Sequence, residues 1–158
     1  MSAASASPQF AWTDAYALGY AQMDQTHHEF VDTVNAMLCA SDEAFPAALD
    51  AFADHARRHF DQEAEWMTKT SFPAAECHID EHNAVMNSVL QVQEMVKSGH
   101  EKGIEIGRSL AAELVKWFPG HADYLDRALS QWMVKKSFGG AAVVWAGVAS
   151  LVAAAAAG

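Results

Sequence analysis

The sequence predicts an all-α protein, an antiparallel up-down four-helix bundle followed by an apolar, Ala-rich C-terminal tail or helix. Three observations predict this class. Apolar residues recur at helical spacing over most of the chain, no segment alternates apolar and polar residues as a strand does, and short turns separate four helical segments. Amphipathic helices joined by short turns bury their apolar faces most simply against one another in a bundle.

Apolar spacing and capping residues indicate the first two helices. The first is expected over 22–40, where one face carries Phe30, Val31, Val34, Met37 and Leu38. The second is expected to begin at Ser41 and Asp42, which can cap a helix, and to end at about Thr70. Pro46 is tolerated there because it falls in the first turn, where its missing N–H is not needed.

Chain breakers delimit the third and fourth helices. A Phe-Pro pair at 72–73 ends the second helix, and the third is expected over 74–97. A Ser-Gly-His turn at 98–100 precedes a fourth helix over 102–136. Pro119 lies inside this last helix, where it removes a backbone donor and disfavours helical geometry before it, so we expect a kink or a break there.

Composition divides the chain into a flexible N-terminus (1–9), the bundle (10–136) and an apolar Ala/Gly-rich tail (137–158). Residues 138–158 carry no charge, and as a helix they would span about 32 Å, close to a hydrocarbon core of about 30 Å. Two lysines just before this segment would keep the bundle on the cytoplasmic side of the inner membrane. We interpret the tail as a candidate membrane or partner-binding helix, with an extra Ala-rich helix on the bundle or a flexible end as the alternatives.

Charge and composition exclude several classes of protein. Lys and Arg number 10 against 20 Asp and Glu, a net charge of −10 that excludes the basic face of a general nucleic-acid binder. A hydrophobic content of 51% excludes a disordered acidic tail. Cys39 and Cys77 provide no disulfide framework, and the first residues do not resemble a secretory signal, so the expected location is the cytoplasm.

The eight histidines point to a metal site, because each predicted helix carries at least one histidine near a carboxylate. The candidates are His27 or His28 on the first helix, the ladder His55, His59 and Glu63 on the second, His78 and His82 on the third, and His121 with Asp123 and Asp126 on the fourth. Residues four apart share a helix face and can bind one ion. Imidazole with carboxylate, without thiolate, suits iron, manganese or zinc.

Spacing alone leaves the ligand set open. On the second helix, the pair of His55 with His59 is as well spaced as the pair of His59 with Glu63. On the first helix, His27 and its neighbour His28 are alternatives. His121 and Asp126 are five residues apart, which is about 140° around an ideal helix. They would share a face only if the side chains lean or if the turn is widened, as in a π-bulge.

Four motifs follow one another along the chain: Asp24-Gln25-Thr26-His27 with Asn35; His59-Phe60-Asp61-Gln62-Glu63 with Met67; Phe72-Pro73 before His78-Ile79-Asp80-Glu81-His82; and Trp117 with His121 and Asp126. Together they resemble the haemerythrin family in its bacterial single-domain form, over residues 12–136. All seven metal-ligand positions of that family are filled, in order. This makes the resemblance specific.

The resemblance implies a cofactor of two non-haem iron ions joined by an oxo or hydroxo bridge. It implies that Glu63 and Asp126 bridge the two ions. One ion would be held by His78, His82 and His121 and have no free position. The other, held by His27 and His59, would keep a position for O2. The remaining histidines, His28, His55 and His100, are then expected on the surface or supporting the site.

The resemblance also implies an apolar oxygen pocket, whose matching positions are Phe30, Phe60, Trp117, Phe118 and Ala122. Each of these residues is equally typical of an ordinary bundle core. Ala122 stands where the family usually has a bulky aliphatic residue, and the smaller side chain predicts faster autoxidation. Pro119 is a second departure, which bears on the pose of His121.

The resemblance implies that the protein binds O2 reversibly for storage, transport or delivery and is not an enzyme. The expected partner is O2, nucleic acid is not expected, and no oligomeric state follows from the sequence. The alternatives are a diiron enzyme that reduces peroxide or nitric oxide, and an oxygen or redox sensor tethered to a membrane. Against a ferritin-like oxidase, the Glu-x-x-His repeats of such proteins are absent.

Overall fold

The computed structural model describes residues 10–138, and every regular element within that range is helical. The elements are a short 3-10 turn at Asp14–Tyr16, then α1 (Ala21–Cys39), α2 (Phe45–Lys69), α3 (Ala75–Lys97) and α4 (Gly103–His121), then a π-helical turn (Ala122–Asp126) and α5 (Arg127–Phe138). No residue separates α4, the π turn and α5, so together they form the fourth helix of the bundle.

The four long helices pack in a ring. α1 lies beside α2 and α4, and α3 lies beside the same two helices on the other side. The connections at 40–44, 70–74 and 98–102 are five residues each, so neighbouring helices run antiparallel. The predicted four-helix bundle is therefore confirmed.

The helix boundaries follow the predictions except at the start of α2. This helix begins at Phe45 rather than at Ser41 and Asp42, and residues 42–44 form a turn. Ser41 still contributes, because its Oγ accepts the N–H of Ala44 at 3.3 Å and its carbonyl accepts the N–H of Phe45 at 2.9 Å. Pro46 lies in the first turn of α2, as expected.

The fourth helix is not broken at Pro119, so of the predicted kink or break the break is wrong. α4 continues through the proline to His121, and the N–H of Ala122 reaches the carbonyl of Pro119 and so keeps the turn closed. The irregularity comes later, in the π turn, where the N–H of Arg127 donates to the carbonyl of Ala122, five residues back. The widened turn therefore lies after the proline and not at it.

Two separate apolar clusters fill the bundle. The larger contains Phe30 and Phe60, and the smaller contains Met23 and Met67. Along α1 the chain passes from the smaller cluster to the larger between residues 23 and 30, and along α2 it passes back between residues 60 and 67. The layer between the two clusters is where the bundle buries its polar side chains.

The segment before α1 is held against the bundle by polar side chains of α1. Asp24 accepts the backbone N–H groups of Leu18 at 2.7 Å and Gly19 at 3.1 Å, while Asn35 accepts the N–H of Phe10 at 3.3 Å. Phe10 is buried in the larger apolar cluster. The first-helix motif residues Asp24 and Asn35 therefore anchor the N-terminal segment.

The predicted tail lies almost entirely outside the described residues, as does the predicted flexible N-terminus. Among the helices within 10–138, none has both the length and the hydropathy that a membrane crossing requires. The interpretation of 138–158 as a membrane or partner-binding helix stays a prediction.

Candidate metal centre

The seven residues that the resemblance implied as ligands meet in one buried layer of the bundle. They are His27 of α1, His59 and Glu63 of α2, His78 and His82 of α3, His121 at the end of α4, and Asp126 at the end of the π turn. None is more than 5% exposed. Each helix contributes through its inward face, which is why the spacing of four residues recurs on α2 and α3.

Glu63 lies between two sets of imidazoles, with one carboxylate oxygen facing each. Its Oε1 lies 2.9 Å from Nε2 of His59 and 3.7 Å from Nε2 of His27. Its Oε2 lies 3.2 Å from Nε2 of His78 and 3.6 Å from Nε2 of His82. A carboxylate in this arrangement can bind one cation through each oxygen.

Asp126 divides the rings in the same way. Its Oδ2 lies 3.0 Å from Nε2 of His27, whereas its Oδ1 lies 3.0 Å from Nε2 of His78 and 3.1 Å from Nε2 of His121. The candidate ligand atoms form two groups, each with all its atoms within 4.8 Å of one another: Glu63, His78, His82, His121 and Asp126 in one, and His27, His59 and Glu63 in the other.

The π turn explains how the side chains of His121 and Asp126 come to lie together in the buried layer. In a regular α-helix, a separation of five residues places two side chains on different faces. The extra residue per turn at 122–126 brings Asp126 back beneath His121, so that Oδ1 and Nε2 lie 3.1 Å apart. Of the two alternatives that spacing left open, the widened turn is the one observed.

The donor set fits a cation in each group, because the buried polar atoms lack other partners. Nε2 of His27 and of His78, Oε2 of Glu63 and both oxygens of Asp126 make no hydrogen bond of acceptable geometry among the described residues. Buried polar atoms are nearly always satisfied in folded proteins. Nε2 of His82 also lies 2.9 Å from Nε2 of His121, and two lone pairs so close need a proton or a metal ion between them.

The electrostatics of the layer favour positive charge between the two carboxylates. Burial lowers the pKa of His27 and of His78, but Asp126 and Glu63 outweigh it and raise the pKa of each ring to about 9. Burial raises the pKa of Glu63 and of Asp126, but the facing imidazoles outweigh it and hold both pKa values well below the ordinary range. Burial, with help from neighbouring rings, lowers the pKa of His82 to about 2.

Apolar side chains cover the two-histidine side of the layer. The rings of Phe30 and Phe118 stack at 4.9 Å, Phe118 meets the ring of His27 edge-on at 5.3 Å, and Phe30 lies 6.1 Å from His59. Ala122 is 2% exposed and belongs to the same apolar cluster. Four of the five predicted pocket residues, Phe30, Phe60, Phe118 and Ala122, belong to this cluster, and Trp117 packs against it.

Two of the predicted pocket residues also stack on rings of the three-histidine side. Phe60 lies 3.8 Å from the ring of His82 and nearly parallel to it, and its centroid is 5.1 Å from that of His59. Trp117 stacks on His121 at 4.2 Å. These two aromatic residues hold the planes of two candidate ligands as well as adding apolar surface.

Two of the leftover histidines lie on the surface, as expected. His28 is exposed and stacks on Trp12 at 3.7 Å. His100 is exposed, and its Nδ1 accepts the N–H of Lys102 at 3.1 Å just before α4 begins. Both therefore have structural partners remote from the metal layer.

His55 is buried beside the site rather than exposed. Its ring lies 5.8 Å from that of His59, and its Nε2 lies 3.3 Å from Oε2 of Glu29. Burial lowers the pKa of His55 to about 4, and the neighbouring imidazole of His59 lowers it further. His55 thus has a supporting position, and it is not among the clustered ligand atoms.

Sequence reasoning assigned no role to Glu81, although this residue contacts the site. Its carboxylate accepts a hydrogen bond from Nδ1 of His121, the nitrogen that faces away from the metal layer. Glu81 lies on α3 and His121 on α4, so no spacing within one helix could have revealed the pair. The signal available in the sequence was only its place between His78 and His82.

Comparison with known proteins agrees with this geometry. A family model described as the Hemerythrin HHE cation binding domain matches residues 18–132, which include all seven clustered residues. The chain belongs to the haemerythrin family. One curated relative within this family, the Bacteriohemerythrin of Ralstonia nicotianae (strain ATCC BAA-1114 / GMI1000), is 36% identical over 129 residues, which cover 82% of this chain and 92% of the relative. No solved structure matches the chain. As a haemerythrin-family protein, it has a buried His/Glu/Asp cluster of the kind that can hold non-haem iron.

Proposed function

We propose that this protein binds O2 reversibly at a pair of non-haem iron ions and serves in oxygen storage, transport or delivery. The observation that carries the proposal is the arrangement of Glu63 and Asp126, each with its two oxygens facing different imidazoles. A carboxylate so placed suits two neighbouring cations better than one. Ferrous iron, when bound, supplies the electrons that O2 binding requires.

The division of the imidazoles into two sets supports one assignment of ligands to each ion. His78, His82 and His121 would hold one iron, His27 and His59 would hold the other, and Glu63 and Asp126 would bind both, together with an oxo or hydroxo bridge. Both buried carboxylates would then be neutralised, and the buried atoms that lack hydrogen-bond partners would have ligands to bind. Seven protein ligands of this type suit iron.

The unequal numbers of imidazoles on the two sides of the layer predict which ion would bind O2. An ion beside His27 and His59 has one imidazole fewer than its neighbour, and so it would keep the free position. Phe30 and Phe118 pack against these two rings and exclude water from that side. A dry, apolar environment limits the entry of protons and anions, which favours reversible binding over further reaction.

The same residues support a carrier more than an enzyme. Glu63 and Asp126 are the buried carboxylates of the described chain, and both face imidazoles, so neither is free to act as a general acid or base. A diiron enzyme that reduces peroxide or nitric oxide would need such a group, or solvent, beside the reacting ligand.

Cycling between oxygen and argon tests the proposal. The protein is loaded anaerobically with ferrous iron, and its visible spectrum is recorded through repeated additions and removals of O2. We expect the same spectral change to appear and disappear in each cycle, with no sustained consumption of peroxide or nitric oxide in the presence of a reductant. Irreversible oxidation in the first cycle, or steady turnover of either substrate, would contradict the proposal.

We further propose a cytoplasmic location, with the charge-free tail at 138–158 as a candidate attachment to the inner membrane. Cell fractionation of the full chain and of a chain truncated after residue 137 separates the two cases. A full chain in the membrane fraction and a truncated chain in the cytoplasmic fraction would establish attachment. Both chains in the cytoplasmic fraction would exclude it.

A further inference from the structure

Glu81 connects α3 to the candidate ligand His121 of α4. Nδ1 of His121 donates to Oε2 of Glu81, while Nε2 of the same ring faces inward, 3.1 Å from Oδ1 of Asp126. Glu81 itself is 46% exposed at its side chain, so the contact joins the buried layer to the surface of the bundle.

His121 differs in this respect from the other four imidazoles of the cluster. Nδ1 of His27, His59, His78 and His82 is buried and has no hydrogen-bond partner among the described residues. His121 is also the last residue of α4, directly before the π turn, where the backbone departs from regular helical geometry. The imidazole that directly precedes the π turn is therefore the one whose outer nitrogen is held by a carboxylate.

Stacking alone cannot orient this ring. Trp117 lies against the face of His121 at 4.2 Å and fixes the plane of the imidazole. A flip of the ring by about 180° about the Cβ–Cγ bond would exchange its nitrogen and carbon positions and leave the stacking unchanged. The hydrogen bond to Glu81 distinguishes the two orientations, because a carboxylate accepts from N–H and not from a ring carbon.

We infer that Glu81 is a positioning residue for the iron site, which holds His121 as the Nδ1–H tautomer with its Nε2 lone pair directed inward. This inference rests on the proposed function of the cluster. A carboxylate on the outer nitrogen also makes an imidazole a more basic ligand, which favours the ferric over the ferrous ion. Solvent screens part of this effect, because Glu81 is half exposed.

Two substitutions separate the hydrogen bond from the charge. Glu81→Ala removes both, whereas Glu81→Gln keeps a carbonyl acceptor and removes the negative charge. Asp80→Asn is the matched control, because it makes the same charge change on the adjacent exposed residue, which has no hydrogen bond or ion pair in the described chain. The readouts are the affinity for iron in competition with a chelator, the midpoint potential of the loaded protein, and the melting temperature of the metal-free protein.

We expect Glu81→Ala to weaken iron binding by about 10-fold or more, the usual effect of losing such a partner. Glu81→Gln should bind iron nearly as tightly as the wild type but with a more positive midpoint potential. Asp80→Asn should match the wild type in both respects. A metal-free melting temperature that is the same in all four proteins would show that the effect is on the ligand and not on the bundle.

The inference is overturned if Glu81→Ala and Asp80→Asn bind iron equally well and have equal potentials. It is overturned equally if Glu81→Ala lowers only the melting temperature, because Glu81 would then merely join α3 to α4. If the wild type itself takes up no iron pair, the proposed function fails and this inference fails with it. That result is distinct from the others, which all begin from a loaded wild type.

Discussion

Glu63 and Asp126 would each be unfavourable to bury as isolated carboxylates. Each is instead surrounded by imidazoles at 2.9–3.7 Å and has a pKa held well below the ordinary range. A core that served packing alone would gain nothing from two charged groups at its centre. At the scale of single residues, the layer is therefore built for a cation rather than for stability.

Adjacent histidines on α1 allow a sharp test of the ligand assignment. His27 is fully buried in the metal layer, whereas His28 is exposed and stacks on Trp12. We expect His27→Ala to retain at most one iron per chain after desalting, because one ion loses one of its two imidazoles. The matched control His28→Ala should retain two. Equal iron contents in the two variants would show that the assignment is wrong.

The size of residue 122 should control the rate of autoxidation. Ala122 is buried in the apolar cluster that covers the two-histidine side, so a larger aliphatic side chain there would leave less room for water or anions to enter. We expect Ala122→Ile to slow autoxidation, Ala122→Val to lie between it and the wild type, and overpacking to lower the free energy of unfolding by about 1–3 kcal/mol.

The control for residue 122 is Ala111→Val, a change of the same kind in the same apolar cluster. It should alter stability without altering autoxidation, which is followed as the decay of the oxygenated spectrum in air. Rates that do not change along the series at residue 122 would rule out the role of this position.

The sequence identified all seven clustered residues, but only with the resemblance to choose among equal spacings. Burial gives the physical reason for preferring His27 to His28, and the signal for it in the sequence is that His27 shares the apolar helix face of Phe30 and Val34. Glu81 shows the same limit, because its partner His121 lies 40 residues away on another helix. A contact between two helices can be predicted from this sequence only where a family motif includes both residues.

At the scale of elements, the spacing of His121 and Asp126 suggested a widened turn as one of two alternatives but could not choose between them. Three of the four bundle helices are regular and follow the 3.6-residue period, so their boundaries were predicted within a few residues. In the fourth helix, the sequence predicted an irregularity at Pro119. The observed widening at 122–126 instead places Asp126 in the metal layer.

Changing the length of the π turn should test its purpose. Deletion of Tyr124, which is 78% exposed, would leave Asp126 four residues after His121, only about 40° around a regular α-helix. We expect this deletion to convert the turn to α-helix and to keep two irons per chain. Insertion of one alanine after Tyr124 should rotate Asp126 out of the layer and reduce iron binding.

Circular dichroism shows whether each length variant folds, and iron content after desalting shows whether the site forms. A folded deletion variant without iron would indicate that the π turn is required for more than the register of Asp126. An insertion variant that keeps two irons would contradict the register argument directly.

At the scale of the whole molecule, the bundle is a polar layer between two apolar clusters. Phe30 and its neighbours lie on one side, and Met23, Met67, Leu129 and Met133 lie on the other. This division places the proposed iron pair in a buried layer, and the packing of the four helices brings its ligands together. The proposed ligands all lie between residues 27 and 126.

The site should therefore be independent of the tail. A chain truncated after Phe138 keeps every described helix, and we expect it to bind two irons and to melt at the same temperature as the full chain when both are loaded. Iron content and the thermal transition, compared at equal protein concentration, check this. Loss of iron on truncation would show that the tail contributes to the site.

The most direct test of the central claim is an anaerobic titration of the metal-free chain with ferrous iron, followed by exposure to O2. The account predicts that binding saturates at two irons per chain and that the loaded protein develops a visible band with O2 that disappears when O2 is removed. Saturation at one iron or none, or a loaded protein whose spectrum does not return on removal of O2, would contradict it.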